Sequence, residues 1–148
     1  MSNTRHYKFG SMATRLVKDY MVQKKEKVEP KDAVISAIEL MVERDVGSVI
    51  VVDSDEKLVG IFTERDLLRH YLEAQSKFLY MTVDEVMSSP VITVTPDMTL
   101  AEALDLMTEK DIRHIPVVDK SNRCLGYLTW KNLFRQFSEL MKEERAHK

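Results

Sequence analysis

Residues 49–67, VIVVDSDEKLVGIFTERDL, reappear 66 residues later as residues 115–133, IPVVDKSNRCLGYLTWKNL. Outward from this stretch, Val17–Leu72 aligns on Val83–Ser138 without a gap. A self-similarity of this length indicates that the chain is built from two copies of one structural unit. Duplication predicts a pseudo-twofold arrangement with two related clefts. The positions at which the copies differ then carry the functional information.

The composition excludes several classes of protein. The chain has 148 residues, a net charge of -2 and 44% hydrophobic residues, as an ordinary globular protein does. Its lysines and arginines are interleaved with acidic residues, whereas a nucleic-acid-binding protein normally carries a basic stripe. No apolar run is long enough to span a membrane, and residues 1–12 lack the apolar core of a secretory signal. We therefore expect a cytoplasmic protein that binds neither nucleic acid nor membranes.

Each copy predicts the same series of elements. A short helical turn is followed by an extended piece that ends at a proline. A helix with one apolar stripe follows, then two β-branched runs and a closing helix. The order strand, helix, strand, strand, helix, given twice, predicts a mixed α/β (α+β) fold whose two pseudo-symmetric repeats pack through their sheets. The predicted turns and strands are Lys18–Met21, Ser48–Val52 and Leu58–Phe62, then Asp84–Met87, Ile115–Val118 and Cys124–Leu128.

The repeat also predicts the domain organisation. Two domains, residues 14–76 and 80–142, are flanked by an N-terminal extension, 1–13, and a C-terminal tail, 143–148. Both flanks are polar, so we expect loose ends. The closing helices are more apolar than one core contact requires, which leaves two explanations open: burial within the chain, or the interface of a homodimer. The single Cys124 excludes an intramolecular disulfide and favours a buried, inert thiol.

One motif stands at the same position of each copy: glycine, two apolar residues, threonine, two variable residues, then aspartate or asparagine. Its two forms are Gly60-Ile61-Phe62-Thr63-Glu64-Arg65-Asp66 and Gly126-Tyr127-Leu128-Thr129-Trp130-Lys131-Asn132. With the repeat, the Val-Val-Asp turn and the opening methionine, the chain from Val17 to about Met141 resembles the tandem cystathionine β-synthase (CBS) domain pair, or Bateman module. The resemblance implies a sensor, not a catalyst. Its ligand would be an adenosine compound, with AMP, ADP or ATP favoured and S-adenosylmethionine or NAD as alternatives, bound in clefts between the copies.

The residues of the first motif have chemistry that suits a ribose. A carboxylate can accept hydrogen bonds from two adjacent hydroxyls, while a threonine hydroxyl adds a further bond. Thr63 and Asp66 can converge at a strand-to-helix junction, and Gly60 would allow close approach of backbone or ligand. The same spacing is also a helix capping box, worth about 1 kcal/mol. The two roles are compatible if the backbone uses only part of the carboxylate.

The copies differ where the first of the two β-branched strands begins. Arg113-His114 in the second copy stands where the first has Gly47-Ser48. The resemblance implies that a basic residue here contacts phosphate from across the pseudo-twofold. Thr63 and Asp66 would then hold ribose while Arg113 and His114 neutralise phosphate in the same cleft. For His114, a structural hydrogen-bonding role is the alternative.

The second cleft would pair Thr129 and Asn132 with Gly47-Ser48. An amide oxygen carries no charge, so we expect this site to be weak or empty. Arg65 and Lys131 could add positive charge near phosphate, and a solvated surface position is the alternative for both. The resemblance implies that residues 22–24 and 88–92 line the adenine pocket. The full set of predicted lining residues is Val22, Lys24, Gly47, Ser48, Val49, Ile61, Ile92, Ile115 and Pro116.

Pro116 removes a hydrogen-bond donor from an apolar strand, which predicts a sheet edge or a pocket lip at that end. An enzyme is not expected, because the sequence lacks a nucleophile motif, a histidine pair at metal spacing and a glycine-rich phosphate loop. No metal site is expected either. The competing function is a dimeric interaction module that binds no small molecule. If a nucleotide binds, it would shift a conformational equilibrium that an unknown effector protein or the dimer mate reads.

Overall fold

The computed structural model describes residues 14–23 and 26–146. It divides into two compact units. Among the described residues, the copy-1 unit comprises residues 26–92 and 120–124, and the copy-2 unit comprises residues 14–23, 93–119 and 125–146. The expected extension, 1–13, lies outside the described residues, as does Lys24. The domain boundaries 14–76 and 80–142 stay a prediction.

The copy-1 unit is built on a three-stranded sheet of order β1-β2-β3. Strand β1 runs parallel to β2, and β2 runs antiparallel to β3. All five residues of β2 are buried, which explains why this strand has no polar face. The elements of the unit are β1 (Lys27–Val28), α1 (Val34–Arg44), β2 (Ser48–Val52), β3 (Leu58–Thr63), α2 (Glu64–Ala74), a 3-10 helix (Gln75–Tyr80) and α3 (Val83–Val86).

The copy-2 unit repeats this pattern around a two-stranded sheet, β4-β5. Its elements are a 3-10 helix (Val17–Asp19), α4 (Leu100–Glu109), β4 (His114–Val118), β5 (Cys124–Thr129) and α5 (Trp130–Ala146). The mixed α/β class predicted from the sequence is confirmed.

The apolar stripes of the two long central helices lie at equivalent positions. Helix α1 buries Val34, Ala37 and Met41, and α4 buries Leu100, Ala103 and Met107. Each residue of the second set follows its counterpart by 66 positions. In the copy-1 unit this stripe packs with residues of β2 and β3. The predicted helical periodicity therefore identifies the face that each helix turns to its core.

The opening turn of each copy belongs to the unit that is built mainly from the other copy. In the copy-2 unit, the Val17 N–H donates to the Met98 carbonyl at 2.8 Å. In the copy-1 unit, the equivalent Val83 N–H donates to the Asp32 carbonyl at 2.9 Å. Val17 and Val83 are both fully buried. Each unit thus contains the opening turn that the other copy's segment of the chain supplies.

The first strand of the second copy is shorter than expected, and Pro116 explains the difference. In the first copy, the Ile50 N–H donates to the Glu26 carbonyl at 3.1 Å as part of the pairing of β1 with β2. Pro116 occupies the position of Ile50 and has no N–H to donate. Within the described residues, the second copy has a single parallel bridge between Val94 and Val117 at the place where the first copy has β1. The expectation of a first strand in each copy was therefore wrong for the second copy.

Two further expectations need correction, and one element was not predicted. Helix α5 continues to Ala146, so the tail from Glu143 is helical over most of its length. Cys124 is half-buried rather than fully buried. The 3-10 helix Gln75–Tyr80 was not predicted; its Phe78 is 1% exposed and makes an edge-to-face contact with Tyr71, with ring centroids 5.9 Å apart.

The closing helices α2 and α5 expose apolar side chains at equivalent positions. Leu68 on α2 is 66% exposed, and Phe134 on α5 is 65% exposed, whereas Leu133 beside it is fully buried. Burial within the chain therefore accounts for part of the apolar character of these helices, and Leu68 and Phe134 are not buried by it. In the part of the chain that the structure describes, no helix combines the length and apolar character that a membrane crossing requires.

Candidate functional site

Thr63 and Asp66 form the capping box that their spacing allows. Thr63 is the N-cap residue of α2, and its hydroxyl accepts from the Asp66 N–H at 3.3 Å. The Thr63 N–H and hydroxyl both donate to Asp66 Oδ2, at 3.0 and 3.1 Å. Threonine thus occupies one oxygen of the carboxylate through both of its donors.

The other carboxylate oxygen faces Ser88. The Ser88 hydroxyl donates to Asp66 Oδ1 at 2.8 Å. The Ser88 backbone is itself fixed, because its N–H donates to the Ile61 carbonyl at 2.8 Å and its carbonyl accepts from the Ile61 N–H at 3.1 Å. Asp66 is only 3% exposed, so it is a nearly buried carboxylate with protein donors on both oxygens. Ser88 belongs to the segment predicted to line the adenine pocket, and its contact with the ribose-binding candidate was not predicted.

The motif glycines allow close approach of another part of the chain. A Cβ added to Gly60 would lie 2.2 Å from Sδ of Met87. A Cβ added to Gly126 would lie 2.6 Å from the Val22 carbonyl oxygen. Both distances are too short for any real contact. The packing of residues 21–22 and 87 therefore explains the motif glycines without a ligand.

The second copy has the same backbone geometry with different side chains. The Asn132 N–H donates to the Thr129 hydroxyl at 3.1 Å, as in the first copy. Val22 exchanges backbone hydrogen bonds with Tyr127 at 3.0 and 2.9 Å, as Ser88 does with Ile61. Val22 has no hydroxyl and Asn132 has no carboxylate. The arrangement of a carboxylate with a serine donor is therefore found in the copy-1 unit and not at the equivalent position of the copy-2 unit.

The two strand starts lie beside the helix starts of their own copies. The Glu64 N–H donates to the Gly47 carbonyl at 3.1 Å, and the Trp130 N–H donates to the Arg113 carbonyl at 3.2 Å. Arg113 is exposed and His114 is half-buried. The phosphate role of these two residues stays a prediction.

The remaining predicted site residues fall into three groups by exposure. Arg65 and Lys131 are exposed at the starts of α2 and α5, and Val22, Gly47 and Ile92 are half-buried. The buried group consists of Ser48, Val49, Ile61, Ile115 and Pro116. Val49 belongs to the copy-1 core cluster. Their role in lining a ligand pocket stays a prediction.

An ion pair joins the turn before α1 to helix α3. Lys31 Nζ lies 2.7 Å from Asp84 Oδ2. The hydrogen bond to Asp84 raises the pKa of Lys31, and the same bond, with one from the Thr82 hydroxyl, lowers the pKa of Asp84. Among residues 14–23 and 26–146, no group of three or more His, Cys, Asp or Glu side chains is arranged to hold a metal ion.

Comparison with known families assigns the chain. The model of the CBS domain matches residues 17–73 and again 83–139. The chain belongs to the CBS domain family. The two matched segments reproduce the two copies found in the sequence, so the chain carries a tandem CBS pair.

A solved CBS domain pair agrees with this assignment, and the chain is similar to further proteins in sequence or structure. An uncharacterised protein of Methanopyrus kandleri is 33% identical over 106 residues, which is 72% of this chain and 54% of that protein. The chain thus spans about half the length of this relative. The CBS domain pair of protein MJ0100, in complex with 5-methylthioadenosine and S-adenosyl-L-methionine, has a TM-score of 0.76 and 28% identity, covering 85% of this chain and 98% of that one. CBSX2 in complex with AMP has a TM-score of 0.74 and 29% identity, covering 86% of this chain and 98% of that one.

Proposed function

We propose that this CBS pair is a regulatory module that binds an adenosine-containing nucleotide, with AMP, ADP or ATP favoured, and signals to an effector protein by conformational change. S-adenosylmethionine and NAD share the adenosine group and stay among the candidate ligands. The module senses its ligand and catalyses no reaction. The single observation that carries this proposal is the carboxylate of Asp66, the last residue of the first repeated motif, which is held by hydrogen bonds from Thr63 and Ser88.

Two solved relatives support the ligand class. CBSX2 was crystallised with AMP, and the MJ0100 pair with two other adenosine compounds. All three ligands share a ribose linked to adenine, which presents two adjacent hydroxyls to a hydrogen-bond acceptor. A ribose site at Asp66 would bind any of them. The preference for one ligand over another must therefore come from the group attached to the 5′ carbon of the ribose.

Positive charge near the second copy's strand start supports a phosphate-bearing ligand. The second copy has the cation Arg113, followed by His114, where the first copy has the uncharged pair Gly47-Ser48. A guanidinium can bind phosphate oxygens in pairs, which favours AMP, ADP or ATP over an uncharged nucleoside. We also propose a cytoplasmic location, which fits a chain with one cysteine.

A thermal-melt panel tests the proposal. The full chain is melted with AMP, ADP, ATP, S-adenosylmethionine or NAD. A ligand present at about 100 times its dissociation constant adds roughly 2.7 kcal/mol of stability when it binds only the folded state. We expect a clear rise in melting temperature for at least one adenine nucleotide. The rise should vanish in Asp66→Ala, which removes the proposed ribose acceptor.

Thr99→Ala is the matched control for the loss of a helix cap. The Thr99 hydroxyl accepts from the Glu102 N–H at 3.2 Å and caps α4, so its removal costs stability in the same way that Asp66→Ala weakens the cap of α2. This variant should melt earlier and still respond to the nucleotide. A response that survives in Asp66→Ala would contradict the proposed site.

The exposed apolar residues of α2 and α5 favour a second candidate function, a ligand-free dimeric interaction module. Leu68 and Phe134 are about two-thirds exposed at equivalent positions of the two closing helices, and a homodimer interface would bury them. A melt panel without any shift would favour this candidate. A homodimer is also compatible with nucleotide binding, since a dimer mate can read the conformational change.

A further inference from the structure

The hydrogen bonds around Asp66 limit what this carboxylate can offer a ribose. A carboxylate has about four acceptor positions, two on each oxygen. Oδ2 already accepts the Thr63 N–H at 3.0 Å and the Thr63 hydroxyl at 3.1 Å. The expected acceptance of two ribose hydroxyls by the two carboxylate oxygens is therefore not available while the cap is formed. The remaining acceptor position of the carboxylate lies on Oδ1. The other position of Oδ1 accepts the hydrogen bond from the Ser88 hydroxyl.

Ser88 supplies a second acceptor beside this oxygen. A serine hydroxyl has one proton and two lone pairs. The proton is committed to Asp66 Oδ1 at 2.8 Å, so Ser88 Oγ can act only as an acceptor toward a ligand. Asp66 Oδ1 and Ser88 Oγ are thus two adjacent acceptors, at the kind of separation that two neighbouring hydroxyl oxygens have on a ribose ring.

Exposure and backbone geometry favour this pair as the point of contact. Ser88 is an exposed residue, while Asp66 beneath it is 3% exposed. Two backbone hydrogen bonds to Ile61 hold Ser88 in place, so the acceptor pair is preorganised. In the copy-2 unit the same backbone pairing positions Val22 beside Tyr127, and valine offers no acceptor there.

We infer that Ser88 determines sugar specificity, with its Oγ accepting one ribose hydroxyl while Asp66 Oδ1 accepts the other. This inference rests on the proposed function and names a residue that its ribose site requires. The arrangement favours ribose over deoxyribose, because a sugar that lacks either hydroxyl makes one hydrogen bond fewer. Ser88 acts as a specificity residue, and the Asp66 carboxylate keeps its capping bonds to Thr63 when ligand binds.

The test is a cycle of protein and ligand variants, measured by titration calorimetry on the full chain. The ligands are AMP, 2′-deoxy-AMP and 3′-deoxy-AMP, and the proteins are wild type, Ser88→Ala and Ser88→Thr. We expect wild type to prefer AMP over each deoxy form by about three- to tenfold, the usual effect of one hydrogen bond. Ser88→Ala should lose affinity for AMP by a similar factor. It should bind one of the two deoxy forms as wild type does, because the contact is already absent. Ser88→Thr, which keeps the hydroxyl, should keep the preference.

Ser89→Ala is the matched control. Its hydroxyl donates to the Val59 carbonyl at 3.1 Å and makes no bond to Asp66, so its loss should leave all three affinities unchanged. An equal loss for all three nucleotides in Ser88→Ala would mean a structural role and overturn the inference, while the proposed function would stand. A wild-type protein that binds the three nucleotides equally would overturn it without any variant. A wild-type protein that binds none of them would overturn both.

Discussion

At the scale of single residues, Gly60 and Gly126 occupy the same motif position but face different neighbours. An added Cβ meets the flexible side chain of Met87 at Gly60 and the rigid backbone oxygen of Val22 at Gly126. That oxygen also accepts the Tyr127 N–H at 2.9 Å, so it cannot move without loss of a hydrogen bond. The stability lost on replacing each glycine with alanine therefore depends on whether the contacting atom can move.

We predict that Gly126→Ala lowers the free energy of unfolding by about 1–3 kcal/mol, the usual cost of overpacking. Gly60→Ala should cost less, because the Met87 side chain can change rotamer. Urea denaturation of the two variants measures the difference directly. Equal losses, or a larger loss for Gly60→Ala, would contradict this account of the close contacts.

Arg113→Ala tests the phosphate role. We expect this variant to bind AMP and ATP more weakly by about tenfold, the effect of a charge-assisted hydrogen bond, with little change for adenosine. Calorimetric titration with adenosine and AMP compares the two. Arg44→Ala, which removes an arginine from the last turn of α1, serves as the control for net charge. A similar loss for adenosine and AMP in Arg113→Ala would refute the phosphate role.

The sequence identified some of the site residues and could not identify others. Thr63 and Asp66 stand in a motif that the repeat shows twice, and their spacing has a physical meaning at a helix start. Ser88 stands in a polar stretch, and its contact with Asp66 arises from backbone pairing with a strand 27 residues earlier in the chain. Its one sequence signal is the change from Val22 to Ser88 between the copies. This change can be interpreted only together with the change from Asn132 to Asp66, because Ser88 and Asp66 form a hydrogen bond in the structure.

At the scale of secondary-structure elements, the Lys31–Asp84 pair attaches α3 to the turn before α1. The pKa of Asp84 is lowered, so the carboxylate contributes stability above its ordinary value of 3.8 and loses that contribution as the pH falls through its lowered folded value. The pKa of Lys31 is raised, so its contribution is present below 10.5 and is lost as the pH rises through its folded value.

We predict that Asp84→Asn lowers the melting temperature slightly at neutral pH, and that this difference from wild type disappears below the lowered pKa of Asp84. Lys31→Met should give a similar small loss, and the double variant should lose little more than either single variant because the pair acts as a unit. Melting curves from pH 2 to pH 8 test this. A difference that is the same at both ends of the range would contradict the assigned direction of the pKa.

The elements with strong periodicity could be predicted, and those without it could not. The stripes of α1 and α4 and the apolar run of β2 follow from spacing alone. The 3-10 helix Gln75–Tyr80 contains one buried aromatic residue, Phe78, and a single residue defines no period. The short first strand of the second copy follows from the missing N–H of Pro116, which acts on a segment far away in the sequence.

At the scale of the whole molecule, the apolar residues of α2 and α5 predict a homodimer. We expect the wild-type chain to have the mass of a dimer in analytical ultracentrifugation, and Leu68→Glu or Phe134→Glu to shift it to the monomer, because each places a charge among apolar contacts. Val42→Glu, at a residue that is 77% exposed on α1, is the control and should leave the mass unchanged. A monomeric wild type would contradict the assignment of these residues to a dimer interface.

The exchanged opening turns have a consequence for inheritance. Residues 17–19 belong to the unit that the second copy builds, and residues 83–86 belong to the unit that the first copy builds. A gene segment that encodes a single copy therefore encodes a fold without its own first turn. A recombination event that divides the chain between the two copies would leave each unit without the buried valine that the other copy supplies. The unit that can be fused to other genes is therefore the pair of copies, and a single copy needs a second copy to complete its fold.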